Sequence, residues 1–109
     1  MGFGGFGGGG FNMQQMMKQA EQLKKQMEDG KARLASETVT ATVGGGMVEC
    51  VMNGEGRVES IKINPAVVDP DDIETLEDLV ISALNQAREQ ADELKAEIMG
   101  PLGGAGGLF

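Results

Sequence analysis

Five basic side chains in the N-terminal third of the chain have the clearest potential for chemistry. They are Lys18, Lys24, Lys25, Lys31 and Arg33. Ammonium and guanidinium groups neutralise phosphate oxygens, so this group predicts a surface that faces a polyanion. Glu21 lies four residues before Lys25, and Glu28 follows Lys24 at the same spacing. Because such pairs neutralise charge along a helix, an ordinary solvated surface is the alternative interpretation.

Charge is divided unevenly along the chain. Residues 12–37 carry five basic and four acidic side chains, a balance of +1. Residues 65–99 carry two basic and ten acidic side chains, and the strands between the two segments add −1 to give the total of −8. Acidity is therefore concentrated in the C-terminal segment, and the N-terminal segment remains a candidate for binding phosphate.

Residue types used in catalysis and metal binding are scarce in this sequence. It contains no His, Trp or Tyr, and Cys50 is its single cysteine. The commonest general base and metal ligand is thus missing, and one thiol forms no intramolecular disulfide. Asp69, Asp71 and Asp72 form an acidic cluster, but the positions after it lack the further ligand and the turn glycine of a calcium loop. We expect these acids to cap a helix, and we expect no enzymatic activity, cofactor, metal or small-molecule substrate.

An apolar stripe with helical spacing begins near the start of the chain. Its members are separated by alternating steps of four and three residues, with Gly30 at the one step that lacks an apolar side chain. The stripe consists of Met16, Ala20, Leu23, Met27 and Leu34. This heptad-like pattern predicts one helix from Asn12, whose side chain caps its start, to about Ser36, weakened at Gly30. We interpret its Met side chains and Leu23 as core residues, and a groove for a protein client is the alternative.

Three runs rich in β-branched residues follow this helix. They cover residues 38–43, 47–53 and 57–63, and glycine-rich turns at residues 44–46 and 53–56 separate them. This spacing predicts a three-stranded antiparallel meander. In the first run Val and Ala alternate with Thr, so one face of the sheet is apolar and takes the helices.

A second helix is predicted after the strands. Residues 69–72 supply an Asp cap, Pro70 at the first helical position and carboxylates at the positive end of the dipole. Gly100 and Pro101 predict its end. Its apolar stripe consists of Ile73, Leu76, Val80, Ala83, Leu84, Ala87, Ala91, Leu94 and Ile98. The predicted fold class is therefore α+β, in the order α-β-β-β-α, with two long helices and a three-stranded antiparallel meander.

The second helix is far longer than the predicted strands. It measures roughly 45 Å at the rise of an α-helix, whereas strands of this length span only about 20 Å. Both helices must overhang the sheet, and long apolar strips are rare on the surfaces of monomers. We therefore expect a helical pair within each chain and a homodimer closed through the sheets.

Glycine-rich segments lie at both ends of the sequence. Residues 1–11 and 100–109 gain too little burial to offset their backbone entropy, so we expect flexible tails around one domain of residues 12–99. No apolar run is long enough to span a bilayer, and the first residues lack the pattern of a signal peptide. A cytoplasmic protein without a membrane partner is expected.

Three stretches of the sequence, taken together, form a pattern typical of a known protein family. They are residues 12–20 (NMQQMMKQA) behind a Gly/Phe tail, residues 51–54 (VMNG), and residues 76–80 (LEDLV) followed by Ala83, Asn85 and Ala87. Their combination resembles the YbaB/EbfC family of bacterial nucleoid-associated proteins. The resemblance covers nearly the whole chain in matching order.

This resemblance implies a tweezer-like homodimer whose strands meet at the centre and whose helices project as arms onto duplex DNA. It also implies a place in the nucleoid and an influence on nucleoid organisation and gene expression. The expected DNA-binding residues are the five basic side chains of the first helix, ahead of Arg88 and Lys95 on the acidic second helix. Because the chain is acidic and has few Arg to read guanine bidentately, binding is expected to be mostly to the DNA backbone and salt-sensitive. The alternative is a protein-interaction or chaperone-like module that grips a client between Met-lined helices.

Overall fold

The fold consists of two long helices and one small sheet. A computed structural model describes residues 12–106 of the chain. The elements are α1 (Met13–Ser36), β1 (Thr38–Val43), β2 (Val48–Asn53), β3 (Val58–Ile63), a short 3₁₀ helix (Pro65–Val67) and α2 (Ile73–Gly106). The predicted α+β class and the order α-β-β-β-α are confirmed, with the 3₁₀ helix as an addition to the prediction.

The sheet is an antiparallel meander in the order β1-β2-β3. Ala41 lies opposite Cys50 in the first pair, and Val48 lies opposite Ile63 in the second. The turn between β1 and β2 contains Gly44, whose φ of 63° lies in the left-handed region that glycine adopts without a steric penalty, as do the two glycines after it. The chain therefore reverses tightly at this point and keeps the register of the two strands.

The core lies between α2 and the helix-facing side of β1 and β2. Ala83, Ala87 and Ala91 recur every four residues on one face of α2 and are at most 1% exposed. Small side chains at these positions allow the helix backbone to approach Val48 and Cys50, which are fully buried in β2. Burial also raises the pKa of the Cys50 thiol. The Thr side chains of β1 are exposed on the opposite face, as their alternation predicts.

The start of α2 differs from the prediction by three residues. Pro70 lies in a turn rather than at the first helical position, because the Asp72 N–H donates to the Asp69 carbonyl at 2.9 Å. Capping falls to Asp72, whose Oδ1 accepts from the Thr75 N–H at 3.3 Å and whose Oδ2 accepts from the Thr75 hydroxyl at 2.6 Å. The expected capping role of the acidic cluster is thus confirmed, whereas the place of Pro70 is corrected.

The end of α2 also differs from the prediction. The helix continues past Gly100 and Pro101 to Gly106, so residues 100–106 are helical rather than a tail. A proline removes one N–H and crowds the carbonyl four residues earlier, which weakens a helix without always ending it. The predicted tail at residues 1–11, and residues 107–109, lie outside the described residues.

Candidate nucleic-acid interface

The turn between β2 and β3 holds the C-terminal end of α1. The Gly54 N–H donates to the Leu34 carbonyl at 2.8 Å and lies 3.1 Å from that of Glu37. A Cβ at Gly54 would come within 3.0 Å of the Leu34 Cα, so this close backbone contact requires glycine. The sequence identified this segment only as a turn, and its Asn-Gly pair was the available signal for a tight backbone contact.

Asn53 completes this junction from inside the turn. Its side chain is 4% exposed, and its Oδ1 accepts from the backbone N–H of Glu55 at 3.0 Å and of Arg57 at 2.9 Å. Its Nδ2 donates to the Ala35 carbonyl at 3.4 Å. One buried amide therefore shapes the turn and binds the last turn of α1, which fixes where that helix leaves the sheet.

A second contact joins α1 to α2 further from the sheet. Gly30 is buried against Ile98 and Met99, and a Cβ at this position would overlap the Met99 sulfur. The helix is continuous through Gly30, so the glycine serves close helix packing. Leu34 lies near the strands and Gly30 lies near the far part of α2, so the two helices extend side by side from the sheet with opposite chain directions.

Beyond this contact α1 projects as a free arm. All residues from 13 to 26 are exposed, a stretch of about 20 Å at helical rise. The described chain accordingly measures 84 × 21 × 17 Å, which confirms that the helices overhang the sheet. Within the single chain Met16 is 51% and Leu23 44% exposed, so the interpretation of these two as core residues is wrong. Met27, next to the contact with α2, is half-buried.

The predicted DNA-binding residues all lie on α1, and all are exposed. Arg33 is paired, with its Nε 2.7 Å from the Glu37 carboxylate. The four lysines make no ion pair with any carboxylate of residues 12–100, so the neutralising pairs considered from the sequence are not formed there. The structure thus places four lysines on one helix without an ion pair to residues 12–100.

The lysines form two rows along α1. Lys18 and Lys25 are seven residues apart on the face opposite the apolar stripe, and Lys24 and Lys31 are seven apart along its edge. Seven residues are two helical turns, so each row spans about 10 Å. A row of this length matches roughly three nucleotide steps of one DNA strand. The rows point in directions about 120° apart, so they do not form one flat patch.

The remaining basic side chains lie away from the arm. Arg88 of α2 approaches Asp92 with its Nε at 3.4 Å and lies over Gly56, where a Cβ would be 3.1 Å from its Nη1. Lys62 lies 3.9 Å from the Glu49 carboxylate on the face of the sheet that carries no helix. Both positions are explained by local packing and pairing. Arg57, before β3, and Lys95, on α2, are exposed single positions, so the lysines of α1 remain the best candidate interface.

In the part of the chain that the structure describes, no group of three or more His, Cys, Asp or Glu side chains is placed to hold a metal ion. No helix among residues 12–106 has the length and apolar character needed to cross a membrane.

Known proteins resemble this chain in sequence and in fold. The YbaB/EbfC DNA-binding family matches residues 8–107. A nucleoid-associated protein of Thermoanaerobacter sp. (strain X514) is 52% identical over 93% of this chain and 90% of its own length, and one of Nocardia farcinica is 43% identical over 93% and 92%. The crystal structure of an uncharacterized protein from Helicobacter pylori, 22% identical, matches with a TM-score of 0.72 over 84% of this chain and 97% of that one, which shows a shared fold. The resemblance found in the sequence is confirmed, and the chain belongs to the YbaB/EbfC DNA-binding family.

Proposed function

We propose that this protein binds duplex DNA as a homodimer, mainly through the phosphate backbone, and has no enzymatic activity. The observation that carries the proposal is the set of four exposed lysines on a projecting helix, none of which forms an ion pair with a carboxylate of residues 12–100. The chain belongs to a DNA-binding family, and DNA is a polyanion of the kind that such a helix suits. The acidic segment of α2 would repel the same polyanion, so the charge distribution favours contact through the arm.

Backbone contact is favoured over base reading by the kinds of side chain present. Lysine binds phosphate as a point charge, whereas bidentate reading of guanine is the role of arginine. Arg33 is the one arginine of α1, and its guanidinium is engaged with Glu37. We therefore expect contacts from Lys18, Lys24, Lys25 and Lys31, with Arg33 contributing after its pair opens, and little dependence on DNA sequence.

The sheet offers a surface that supports the proposed dimer. Val58, Ile61 and Ile63 of β3 are 38–41% exposed. In the strand register Ile61 and Ile63 face the same side as Cys50 and Val48, but α2 packs on β1 and β2 and leaves β3 largely uncovered. An apolar strand face beside a packed helix is a surface that a second copy can bury. Two chains joined there would present two arms to one duplex.

A place in the nucleoid, within the cytoplasm, follows from the same proposal. The relatives from Thermoanaerobacter and Nocardia are named nucleoid-associated proteins. A dimer that grips the DNA backbone with weak sequence dependence suits nucleoid organisation, and its effect on gene expression would be indirect. Double-stranded DNA is thus the proposed partner, and no small molecule is required.

Charge reversal on the arm tests the DNA-binding residues. Lys24→Glu combined with Lys25→Glu should abolish duplex binding in a gel-shift assay, because both rows lose a phosphate contact and gain repulsion. The matched control is Arg57→Glu combined with Lys95→Glu, which changes the net charge equally at exposed positions outside α1. The control should weaken binding only slightly. Equal losses in the two variants would refute the site and leave only a general charge effect.

Salt dependence tests the proposed mode of contact. Five phosphate contacts per dimer would give a log–log slope of affinity against salt near −4.5, an order-of-magnitude figure from counterion release. The measurement is a salt-titrated binding isotherm with one defined and one random duplex. Similar slopes and affinities for the two are expected, and a flat salt response would contradict backbone binding.

A second candidate function is favoured by the exposed methionines of the arm. Met13, Met16 and Met17 are 51–70% exposed, and flexible thioether side chains suit a surface that adapts to protein clients. This candidate predicts that purified protein retains one dominant client after nuclease treatment, as measured by pull-down. DNA-dependent capture would favour the first candidate instead.

A further inference from the structure

The apolar stripe of α1 is covered over only half of its length. From Met13 to Leu34 its positions follow alternating steps of three and four residues. The C-terminal half packs within the chain, with Gly30 against α2 and Leu34 against the β2–β3 turn. The N-terminal half, called the arm seam below, continues the same line, and its residues are exposed, with no covering partner among residues 12–100. The arm seam consists of Met13, Met16, Ala20 and Leu23.

The spacing of the arm seam indicates what kind of surface covers it. Alternating steps of three and four residues keep an apolar line facing another helix, because side chains of one helix then fit between those of its neighbour. The covered half of the stripe does contact a helix, α2. A continuous stripe that meets a helix at one end is best continued by a second helix at the other.

The charges beside the arm seam allow a second copy to be that helix. Met17 and Gln19, which flank the seam at its centre, are uncharged. Lys18 and Glu21 are the charged residues between positions 12 and 23, and both point away from the seam. Two identical arms can therefore approach without placing like charges against each other. The DNA-facing row at the seam's edge begins only at Lys24, so the two surfaces lie side by side on the arm.

We propose that the arm seam pairs with the arm seam of a second copy of this chain, in antiparallel orientation, and so joins separate dimers arm to arm. A twofold arrangement brings Met13 of one copy beside Leu23 of the other, and Met16 beside Ala20. The same patch is then used on both partners, as symmetric association requires. Lys18 and Lys25 stay on the outer face of the pair.

The contact between two arm seams is small, so the pairing is expected to be weak. Two such seams would bury on the order of several hundred Å², below the roughly 1,200 Å² of stable interfaces. Pairing is therefore expected at high local concentration, as among copies on neighbouring DNA segments. Bridging of two duplexes follows from the pairing, and both this bridging and the joining of separate dimers rest on the proposed function.

Thiol cross-linking of the full-length protein tests the pairing without DNA. Ala20→Cys places a thiol on the seam, whereas Gln22→Cys places one on the exposed opposite face. The native Cys50 is 0% exposed and can remain. With a short bis-maleimide, Ala20→Cys should cross-link several times more than Gln22→Cys and give species with at least the native mass of two dimers. Equal cross-linking of both variants, or a cross-linked product with the mass of one dimer, would overturn the proposal.

A charge-neutral variant separates arm pairing from DNA binding. Met16→Gln with Leu23→Gln removes apolar contact at exposed helical positions, and Gln15→Ala with Gln22→Ala is the matched control off the seam. In sedimentation without DNA, the control should grow beyond the dimer as concentration rises, and the seam variant should not. Both should bind a single duplex with unchanged affinity, and only the control should retain a second duplex on beads. Identical sedimentation of the seam variant and its control would contradict arm pairing. Failure of the protein without substitutions to bind a duplex would contradict the proposed function and leave arm pairing standing.

Discussion

The two long helices of this chain differ in how they are held. α2 lies on the sheet with Ala83, Ala87 and Ala91 buried along its contact face. α1 is attached through its last turns and is exposed from residue 13 to residue 26. Since packing of an apolar face provides most of a helix's stability in a protein, α2 and the sheet form the stable unit. The arm depends on that unit for its position and contributes little to it.

The charge follows the same division. The segment that contains α2 carries a balance of −8, and the segment that contains α1 carries +1. The acids of α2 lie on its exposed side, where solvation makes their mutual repulsion tolerable. The lysines of α1 make no ion pair with a carboxylate of residues 12–100, which is one reason why we propose that this helix binds a polyanion. The proposed function therefore places stability and binding on different helices, and paired substitutions can test that proposal.

The largest effect is expected from enlarging one alanine of the packed helix. Ala87→Leu forces additional carbons into the contact between α2 and the strands, which should lower the free energy of unfolding by about 1–3 kcal/mol. Ala32→Leu makes the identical change at an exposed position of α1 and should have little effect. Urea denaturation at one fixed protein concentration measures both. Similar losses of unfolding free energy in the two variants would show that α1 is packed as tightly as α2 and would contradict the difference between the two helices.

A smaller effect is expected at the junction between the two regions. Asn53→Ala leaves the Glu55 and Arg57 N–H groups without their acceptor and should cost about 1–2 kcal/mol in the same assay. Asn53→Asp keeps the oxygen that accepts from the Glu55 and Arg57 N–H groups but loses the amide group that donates to the Ala35 carbonyl. It should therefore retain the turn and selectively loosen α1, as measured by faster amide exchange near Leu34. Equal exchange in both variants would place the role of Asn53 entirely within the turn.

Sequence periodicity predicted the elements of this fold well because each depends on local spacing. Strand β1 was predicted at its observed bounds, since Val and Ala alternate with Thr over its whole length. The end of α2 was misplaced because Pro101 is a local signal, whereas a helix continues when the remaining turns tolerate one lost hydrogen bond. The cap moved to Asp72 because residues 69–72 contain several Asp side chains that are equally suited to capping.

The sequence predicted that the five basic residues of the candidate site lie on one helix, as the structure shows, but it did not predict their surroundings. A heptad-like stripe shows which face of α1 is apolar, but it does not show how far α2 extends along that face. For this reason the prediction that Met16 and Leu23 are core residues failed, and both are exposed. Spacing also suggested ion pairs for Lys24 and Lys25, yet exposed side chains gain little from pairing, and no such pair is formed among the described residues. Burial and pairing of this kind depend on packing between elements that are distant in the sequence.

The smallest effect is expected from removing equivalent caps at the starts of the two helices. The Asn12 Oδ1 accepts from the Gln14 N–H at 2.9 Å at the tip of the arm, and Asp72 caps α2. Asp72→Ala should lower the free energy of unfolding by about 1 kcal/mol, because α2 is part of the stable unit. Asn12→Ala removes a cap of the same kind from an exposed helix end, so the first turns should fray while global unfolding stays unchanged. Amide exchange of the first turns together with urea denaturation separates these outcomes. A loss of global stability in Asn12→Ala equal to that in Asp72→Ala would mean that the arm tip is packed in solution, as it would be if the arm seam were already paired at the protein concentration used.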